Sequence, residues 1–170
     1  AAEMAAEFKN YVAQNSEIHF SAGMVMTKPG QPIHALANAA EEALEKAKGN
    51  DGKKNAVTLF DTKVSWIDWP KIEAADSELL RVKTTYGLST SYVYSLLQLI
   101  DLSCDDKNPE QAMWRSRFAY KTRRYVVDKL DKAIRPSAQM DLASTLGANG
   151  IEVLGKAYKL PLFNYFYQQR

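Results

Sequence analysis

Apolar and polar positions alternate along residues 17–27, and a period of two predicts a β-strand. Small residues on one of its two rows suggest that a ligand or a second backbone approaches the strand closely. We therefore expect the more apolar row to pack on helices and the other row to form an open face. The first row is Ile18, Phe20, Ala22, Met24 and Met26, and the second is His19, Ser21, Gly23, Val25 and Thr27.

Helical patterns flank this strand. Residues 1–14 predict a helix from the spacing of Met4, Phe8 and Val12, and residues 33–48 predict an amphipathic helix. A loop rich in glycine and lysine follows, then a strand at 55–60, a turn at 61–63, and an extension of the sheet edge at 64–66. The order strand, helix, strand predicts an α+β unit.

After Trp66 the pattern becomes entirely helical. We predict helices at about 69–86, 89–104, 109–134, 137–147 and 150–168, with Pro161 kinking or restarting the last one. The chain is therefore divided into an α+β domain at 1–66 and a helical bundle at 67–170.

Composition adds few constraints. The 170 residues are 46% apolar and 25% charged with a net charge of +2, as in an ordinary globular protein. The single cysteine, Cys104, excludes an intrachain disulfide and fits a cytoplasmic location. Two histidines and one cysteine do not make a typical zinc site, and no signal peptide or membrane span is predicted. Because Ala1 falls inside a helical pattern, we expect a piece of a longer polypeptide.

The loop lysines are the first candidate for binding chemistry. Lys48, Lys53 and Lys54 lie beside glycines and precede Asn55, and amines in such a loop suit phosphate oxygens. The order of residues in a Walker loop is absent. On composition, a solvated loop is the favoured interpretation.

The helix predicted at 109–134 offers a second candidate. Arg117, Lys121 and Arg124 are spaced i, i+4, i+7, opposite an apolar side that contains Trp114, Phe118 and Tyr125, widened by Ala119, Val126 and Leu130. Aligned cations can follow a phosphate backbone or dock an acidic partner, although a solvated face is the slightly favoured interpretation. The aromatic residues near the C-terminus favour a core. No catalytic constellation is complete, so the residues indicate a binding or structural piece.

Four segments together resemble a known family. They are Phe20–Pro29 (FSAGMVMTKP), Ala37–Lys48 (ANAAEEALEKAK), Lys54–Phe60 (KNAVTLF) and Val64–Trp66 (VSW). This pattern is similar to the C-terminal part of the large palm-domain subunit of type III CRISPR–Cas effector complexes, most like the Csm subtype, and more distantly to GGDEF nucleotidyl cyclases. The helical remainder, including WRSRFAY at 114–120 and YQQR at 167–170, also fits that family.

The resemblance implies a partial ferredoxin-like palm and a helical C-terminal domain. It implies that the parent subunit, which also carries an HD nuclease domain, makes cyclic oligoadenylates from ATP with Mg²⁺ or Mn²⁺ when target RNA binds, in antiviral defence. Its partners would be the other effector subunits, crRNA and target RNA. The metal-binding Gly-Gly-Asp-Asp hairpin is expected before residue 1, so this chain alone should bind no cofactor and carry no catalytic residue.

Site residues follow from the resemblance position by position. Lys48 matches the family's Ala-Lys position, which is expected to contact nucleotide phosphates. Lys54 and Asn55 match the end of the loop, and Ser21 and Gly23 match the strand on the nucleotide side. Two alternatives stay open: a catalytically inactive helical scaffold that binds RNA or protein through Arg117, Lys121 and Arg124, and a fragment of a diguanylate cyclase.

Overall fold

The computed structural model describes residues 2–49 and 54–169. The chain forms two compact units, Ala1–Lys71 and Ile72–Arg170. The α+β class predicted from the sequence, a small mixed sheet with helices followed by a helical region, is confirmed.

The first unit contains two helices and a three-stranded sheet. Its elements are α1 (Ala2–Tyr11), β1 (Ala22–Met24), α2 (Ile33–Lys48), β2 (Ala56–Leu59) and β3 (Thr62–Ser65). The strand order is β1-β2-β3, with β1 parallel to β2 and β2 antiparallel to β3. The helix α2 is the crossover between the two parallel strands, as a βαβ connection requires.

Two predicted elements of this unit are too long. The helix at 1–14 ends at Tyr11, and Ala13 and Gln14 adopt positive φ angles that no α-helix tolerates. The strand at 17–27 is reduced to Ala22–Met24, which pairs in register with Val57, Thr58 and Leu59. Side-chain alternation extends further than the backbone pairing because β2 offers only four residues.

The hairpin between β2 and β3 begins one residue earlier than predicted. Leu59 pairs with Thr62, so Phe60 and Asp61 form a two-residue loop, and both have positive φ angles of 49° and 61°. This geometry matches a type I′ turn, whose usual residues are Asn and Gly. Because Phe-Asp is an unusual pair for such a turn, the sequence predicts the turn at 61–63 instead.

An aromatic cluster packs near the N-terminal side of the sheet. The ring of Phe20 lies 4.6 Å from Phe8 on α1 and 4.8 Å from Trp66, centroid to centroid. The Trp66 indole N–H donates to the Phe20 carbonyl at 3.0 Å. These contacts hold the segment before β1 against α1 and against the end of β3.

The second unit is helical. The chain enters it through α3 (Trp69–Tyr86), and its further α-helices are α4 (Thr90–Ser103), α5 (Trp114–Tyr125), α6 (Arg135–Leu142) and α7 (Lys159–Gln168). Ser89 caps α4 by accepting a hydrogen bond from the Tyr92 N–H. Pro161 lies in the first turn of α7, so the prediction that it restarts the last helix agrees with the structure.

The predicted helix at 109–134 is broken. Its regular part is α5, which ends where Val126 takes φ −122° and ψ −68°, and a short 3₁₀ turn follows at Val127–Lys129. Val126 and Val127 are both buried, and a straight α-helix would carry consecutive side chains 100° apart. The break lets both valines reach the core.

The glycines at 147 and 150 do not separate two helices, contrary to prediction. Residues Ala143–Glu152 continue α6 as a π-helix. A Cβ on Gly147 would lie 3.1 Å from the Phe118 ring, and one on Gly150 would lie 2.6 Å from the Tyr158 ring. Both glycines therefore permit close packing of aromatic rings.

The core of the second unit gathers side chains from α3, α4, α5, the π-helix and α7. Trp114 and Phe118 belong to it as predicted, but Tyr125 is 49% exposed and Ala119 is also exposed. The largest fully buried side chains of this unit are Leu79, Tyr92, Leu96, Ile100, Leu142, Leu146, Ile151, Tyr158 and Leu162.

Candidate functional site

Ser21 and Asn55 meet at the N-terminal ends of the two parallel strands. The Asn55 backbone N–H donates to the Ser21 hydroxyl oxygen at 3.3 Å, across 34 residues of sequence. Both residues were predicted from separate motifs, so the fold brings two parts of the candidate site together. Lys54 is the neighbour of Asn55 in sequence and lies at the same end of β2.

Asn55 has an unusual backbone. Its φ angle is +106°, a region that L-residues seldom occupy, at a typical cost of about 1–3 kcal/mol. Its carbonyl oxygen accepts hydrogen bonds from the Trp66 N–H at 3.1 Å and from the Ser65 hydroxyl at 3.4 Å. Together with Ser21, these contacts fix the Asn55 backbone in a conformation that a free loop would not hold.

The lysines differ in their surroundings. Lys48 is the last residue of α2, and its ammonium contacts the Glu45 carboxylate at 2.7 Å. Both side chains are well exposed, and exposed pairs of this kind contribute little to stability, so the Lys48 ammonium can exchange partners easily. Lys53 lies outside the described residues.

The expected open face is wrong at Gly23. The α2 backbone lies directly over this position: an added Cβ would be 2.4 Å from the Leu44 nitrogen and 2.7 Å from the Ala40 oxygen. Thr58, the register partner of Gly23, is buried. The smallness of Gly23 therefore serves the close packing of α2 on β1, which is the approach of a second backbone that the pattern left open.

Residues 1–58 match the family model described as "Cas10/Cmr2, second palm domain". In this region the chain is therefore similar to a domain of a type III CRISPR effector subunit. A subunit of that kind is a member of a complex with other subunits. Searches of curated proteins and of solved structures each found no match.

The palm segment, as we call residues 1–58, contains every residue predicted to contact nucleotide. The matched region ends inside β2, one residue after Val57. It includes the Ser21–Asn55 contact and the C-terminal end of α2, where Lys48 lies. The helical second unit lies outside the match.

A cleft of about 390 Å³ lies beside Asn55 on the first unit. Its apolar wall includes Phe8, Phe20 and Trp66, and its polar rim includes Asn15 and His19. His19 was predicted only as a residue on the second row of the strand, and no sequence pattern predicted the cleft. The helical stripe of Phe8 and Val12 gave the signal for its wall, but the sequence did not indicate where α1 packs.

The three cations predicted on the helical unit have unequal partners. Arg117 contacts the Glu110 carboxylate at 2.5 Å. Within the part of the chain that the structure describes, Lys121 and Arg124 make no ion pair. Arg123, which was not predicted, lies 3.9 Å from the Asp128 carboxylate. The charges of the three predicted cations are therefore only partly neutralised.

The described residues contain neither a metal-binding cluster nor a membrane-spanning helix. Within residues 2–49 and 54–169, no group of three or more His, Cys, Asp or Glu side chains is placed to hold a metal ion. No helix in the same ranges combines the length and apolarity that crossing a bilayer requires.

Proposed function

We propose that the palm segment contributes phosphate-contacting residues to an ATP site in a Csm-type effector subunit that synthesises cyclic oligoadenylates. Lys48 and Lys54 would contact phosphate oxygens as point charges, and Ser21 would hold the strained Asn55 backbone at the mouth of the site. Gly23 would act indirectly by letting α2 lie close to β1. The contact that carries the proposal is the Ser21–Asn55 hydrogen bond, because it joins two family-matched positions.

The chemistry of such a synthetase requires a metal. When bound, Mg²⁺ or Mn²⁺ supplies charge stabilisation to the attacking and leaving oxygens of the phosphoryl transfer. The resemblance assigns these ions to a Gly-Gly-Asp-Asp hairpin, so we propose no metal ligand and no catalytic residue among the described residues. Its own residues bind and orient phosphates. The GGDEF-like kinship of the palm is part of the same proposal.

The helical unit would dock on other subunits and on crRNA or target RNA in the assembled complex. Its partly unpaired cations support this role, and the same observation favours the second candidate, a helical RNA- or protein-binding scaffold without catalysis. The two candidates differ in what they predict for Lys48.

The test is Lys48→Ala in the complete effector complex with target RNA bound. We expect about a tenfold or larger rise in the ATP concentration that half-saturates oligoadenylate synthesis, because a charge-assisted phosphate contact is typically worth about 1.5–3 kcal/mol. The matched control is Lys46→Ala, two residues earlier on α2, whose ammonium is bound to Asp61. Unchanged oligoadenylate output and unchanged apparent ATP affinity in Lys48→Ala would favour the scaffold.

A further inference from the structure

Basic residues concentrate in one segment of the helical unit. Residues 115–135 hold eight lysines and arginines but only two aspartates, whereas the whole chain has a net charge of +2. The remainder of the chain is therefore net acidic. A local excess of this kind is the electrostatic signature of a surface that meets phosphates or carboxylates.

The helical period places Arg117, Tyr120, Lys121 and Arg124 along one strip of α5, which we call the α5 stripe. Lys121 is half-buried and the other three side chains are exposed. At 3.6 residues per turn, Tyr120 lies opposite the buried Trp114, Phe118 and Thr122. Arg117 and Arg124 are separated by about 10 Å along the helix axis, since each residue rises about 1.5 Å.

An aromatic ring lies between these cations. Tyr120 is 65% exposed although a tyrosine side chain normally buries most of its ring. It belongs to no ring pair among the described residues, in contrast to Tyr94, which stacks on Phe166 at 4.0 Å. The Tyr120 ring is thus open to solvent, with arginines three residues before it and four residues after it.

The charges around the α5 stripe determine the side from which an anion can approach it. A groove beside Arg117 and Lys121 is also lined by Asp101, Asp105 and Glu110, so an anion would be repelled there. On the other side, Arg124 makes no ion pair within the described residues, and Arg123 is only loosely paired with Asp128. An extended polyanion would therefore lie over Tyr120 and Arg124, away from the groove.

We propose that the α5 stripe binds single-stranded nucleic acid, with an unpaired base stacked on Tyr120 and a flanking phosphate on Arg124. An exposed ring between cations suits an unpaired base, because every base has a π-face and stacking needs no sequence match. A duplex keeps its bases stacked inside, and an acidic protein would use the cations without the ring. The proposal rests on the RNA-docking role proposed above for the second unit and adds the base-stacking residue; it is independent of the ATP site. RNA binding that survives Tyr120→Ala would overturn the stacking alone.

The test measures binding of a fluorescein-labelled 20-nucleotide single-stranded RNA to the full chain by fluorescence anisotropy over a series of salt concentrations. We expect Tyr120→Ala to weaken binding about 5- to 100-fold, and Tyr120→Phe to bind within about twofold of the unaltered chain, because a phenylalanine ring also stacks. Arg124→Ala should reduce the slope of log K against log salt by about 0.7, as for one lost phosphate contact. DNA of the same sequence distinguishes contacts to the 2′-hydroxyl from stacking and phosphate contacts that both strands share.

The control is Tyr11→Ala, which removes a tyrosine that is 88% exposed but lies on the other unit. It should leave RNA affinity unchanged, and circular dichroism should report the same helix content for every variant. Three results would overturn the proposal: no binding of single strands by the unaltered chain, equal binding by Tyr120→Ala, or a preference for duplex RNA. If polyglutamate displaces the RNA and Tyr120→Ala has no effect, the stripe docks an acidic protein instead.

Discussion

The Asn55 backbone is strained, and we expect that folding does not depend on the Asn55 side chain. Its φ of +106° is readily adopted by glycine, which has no Cβ. In Asn55→Gly we therefore expect the free energy of unfolding to stay within about 1 kcal/mol of the unaltered chain, because relief of strain offsets the greater freedom of the unfolded chain. The measurement is urea unfolding followed by tryptophan fluorescence.

The same variant separates folding from function. If the Asn55 side chain contributes to the ATP site, Asn55→Gly should fold normally yet need a higher ATP concentration for half-maximal oligoadenylate synthesis in the complete complex. Ser65→Ala is the matched control, because it removes a hydrogen bond to the Asn55 carbonyl but no predicted site residue. A marked loss of stability in Asn55→Gly would show that the side chain is structural.

Single residues were predictable where chemistry follows directly from residue type. Ser21, Lys48 and Asn55 were named from motifs, and the fold places Ser21 against Asn55. Gly23 was assigned to the wrong environment, because alternation gives two faces of a strand without saying which face a helix covers. The Phe60–Asp61 turn was displaced because Phe60 is not typical of positive φ.

At the scale of elements, one polar network connects α3 to α6 and the π-helix. Asp141 accepts hydrogen bonds from both terminal nitrogens of Arg81, at 2.9 and 2.8 Å, and from the Tyr86 hydroxyl at 2.8 Å. The Thr145 hydroxyl donates to the same carboxylate at 3.1 Å. The Arg81 hydrogen bonds hold the pKa of Asp141 well below its usual range, with smaller contributions from Tyr86 and Thr145.

The depressed pKa predicts how stability depends on pH. A carboxyl with a lower pKa in the folded state stabilises the fold above its unfolded pKa of about 4, and this contribution disappears as the pH falls through the folded pKa. We expect Asp141→Asn to lower the melting temperature at pH 7 by a few degrees and to flatten the acid side of the stability curve below about pH 4. Differential scanning calorimetry from pH 2 to 7 measures both.

The control for that series is Asp128→Asn. Asp128 is exposed, and its carboxylate is 3.9 Å from Arg123, so this change should alter neither the melting temperature nor the shape of the pH profile appreciably. Identical acid profiles for Asp141→Asn and the unaltered chain would mean that the network does not stabilise the second unit.

Elements with a strong helical period were predicted well. The structure places α2 at Ile33–Lys48 and α3 at Trp69–Tyr86, the bounds that periodicity gave. The failures involve tertiary packing: the buried pair Val126 and Val127 interrupts α5, and Gly147 stays within a helix because it packs on Phe118. Glycine marks both a helix end and a close contact, and one sequence does not distinguish them.

At the scale of the whole molecule, the two units have separate proposed roles. The palm segment carries the contact between Ser21 and Asn55 and the family match at residues 1–58. The second unit carries the α5 stripe, whose proposed ligand is a single strand. A ligand that binds one unit should therefore slow amide hydrogen exchange in that unit and leave exchange in the other unit unchanged.

Hydrogen–deuterium exchange of the complete effector complex, with and without ATP and Mg²⁺, tests the central claim most directly. ATP should slow amide exchange in peptides that contain Ser21 and in those that contain Lys54 and Asn55, because phosphate contacts at this end of the two strands stabilise these amides. Peptides from α5 should be unaffected by ATP. If exchange at Ser21 and Asn55 is the same with and without ATP while oligoadenylates are being made, the palm segment does not contact the nucleotide.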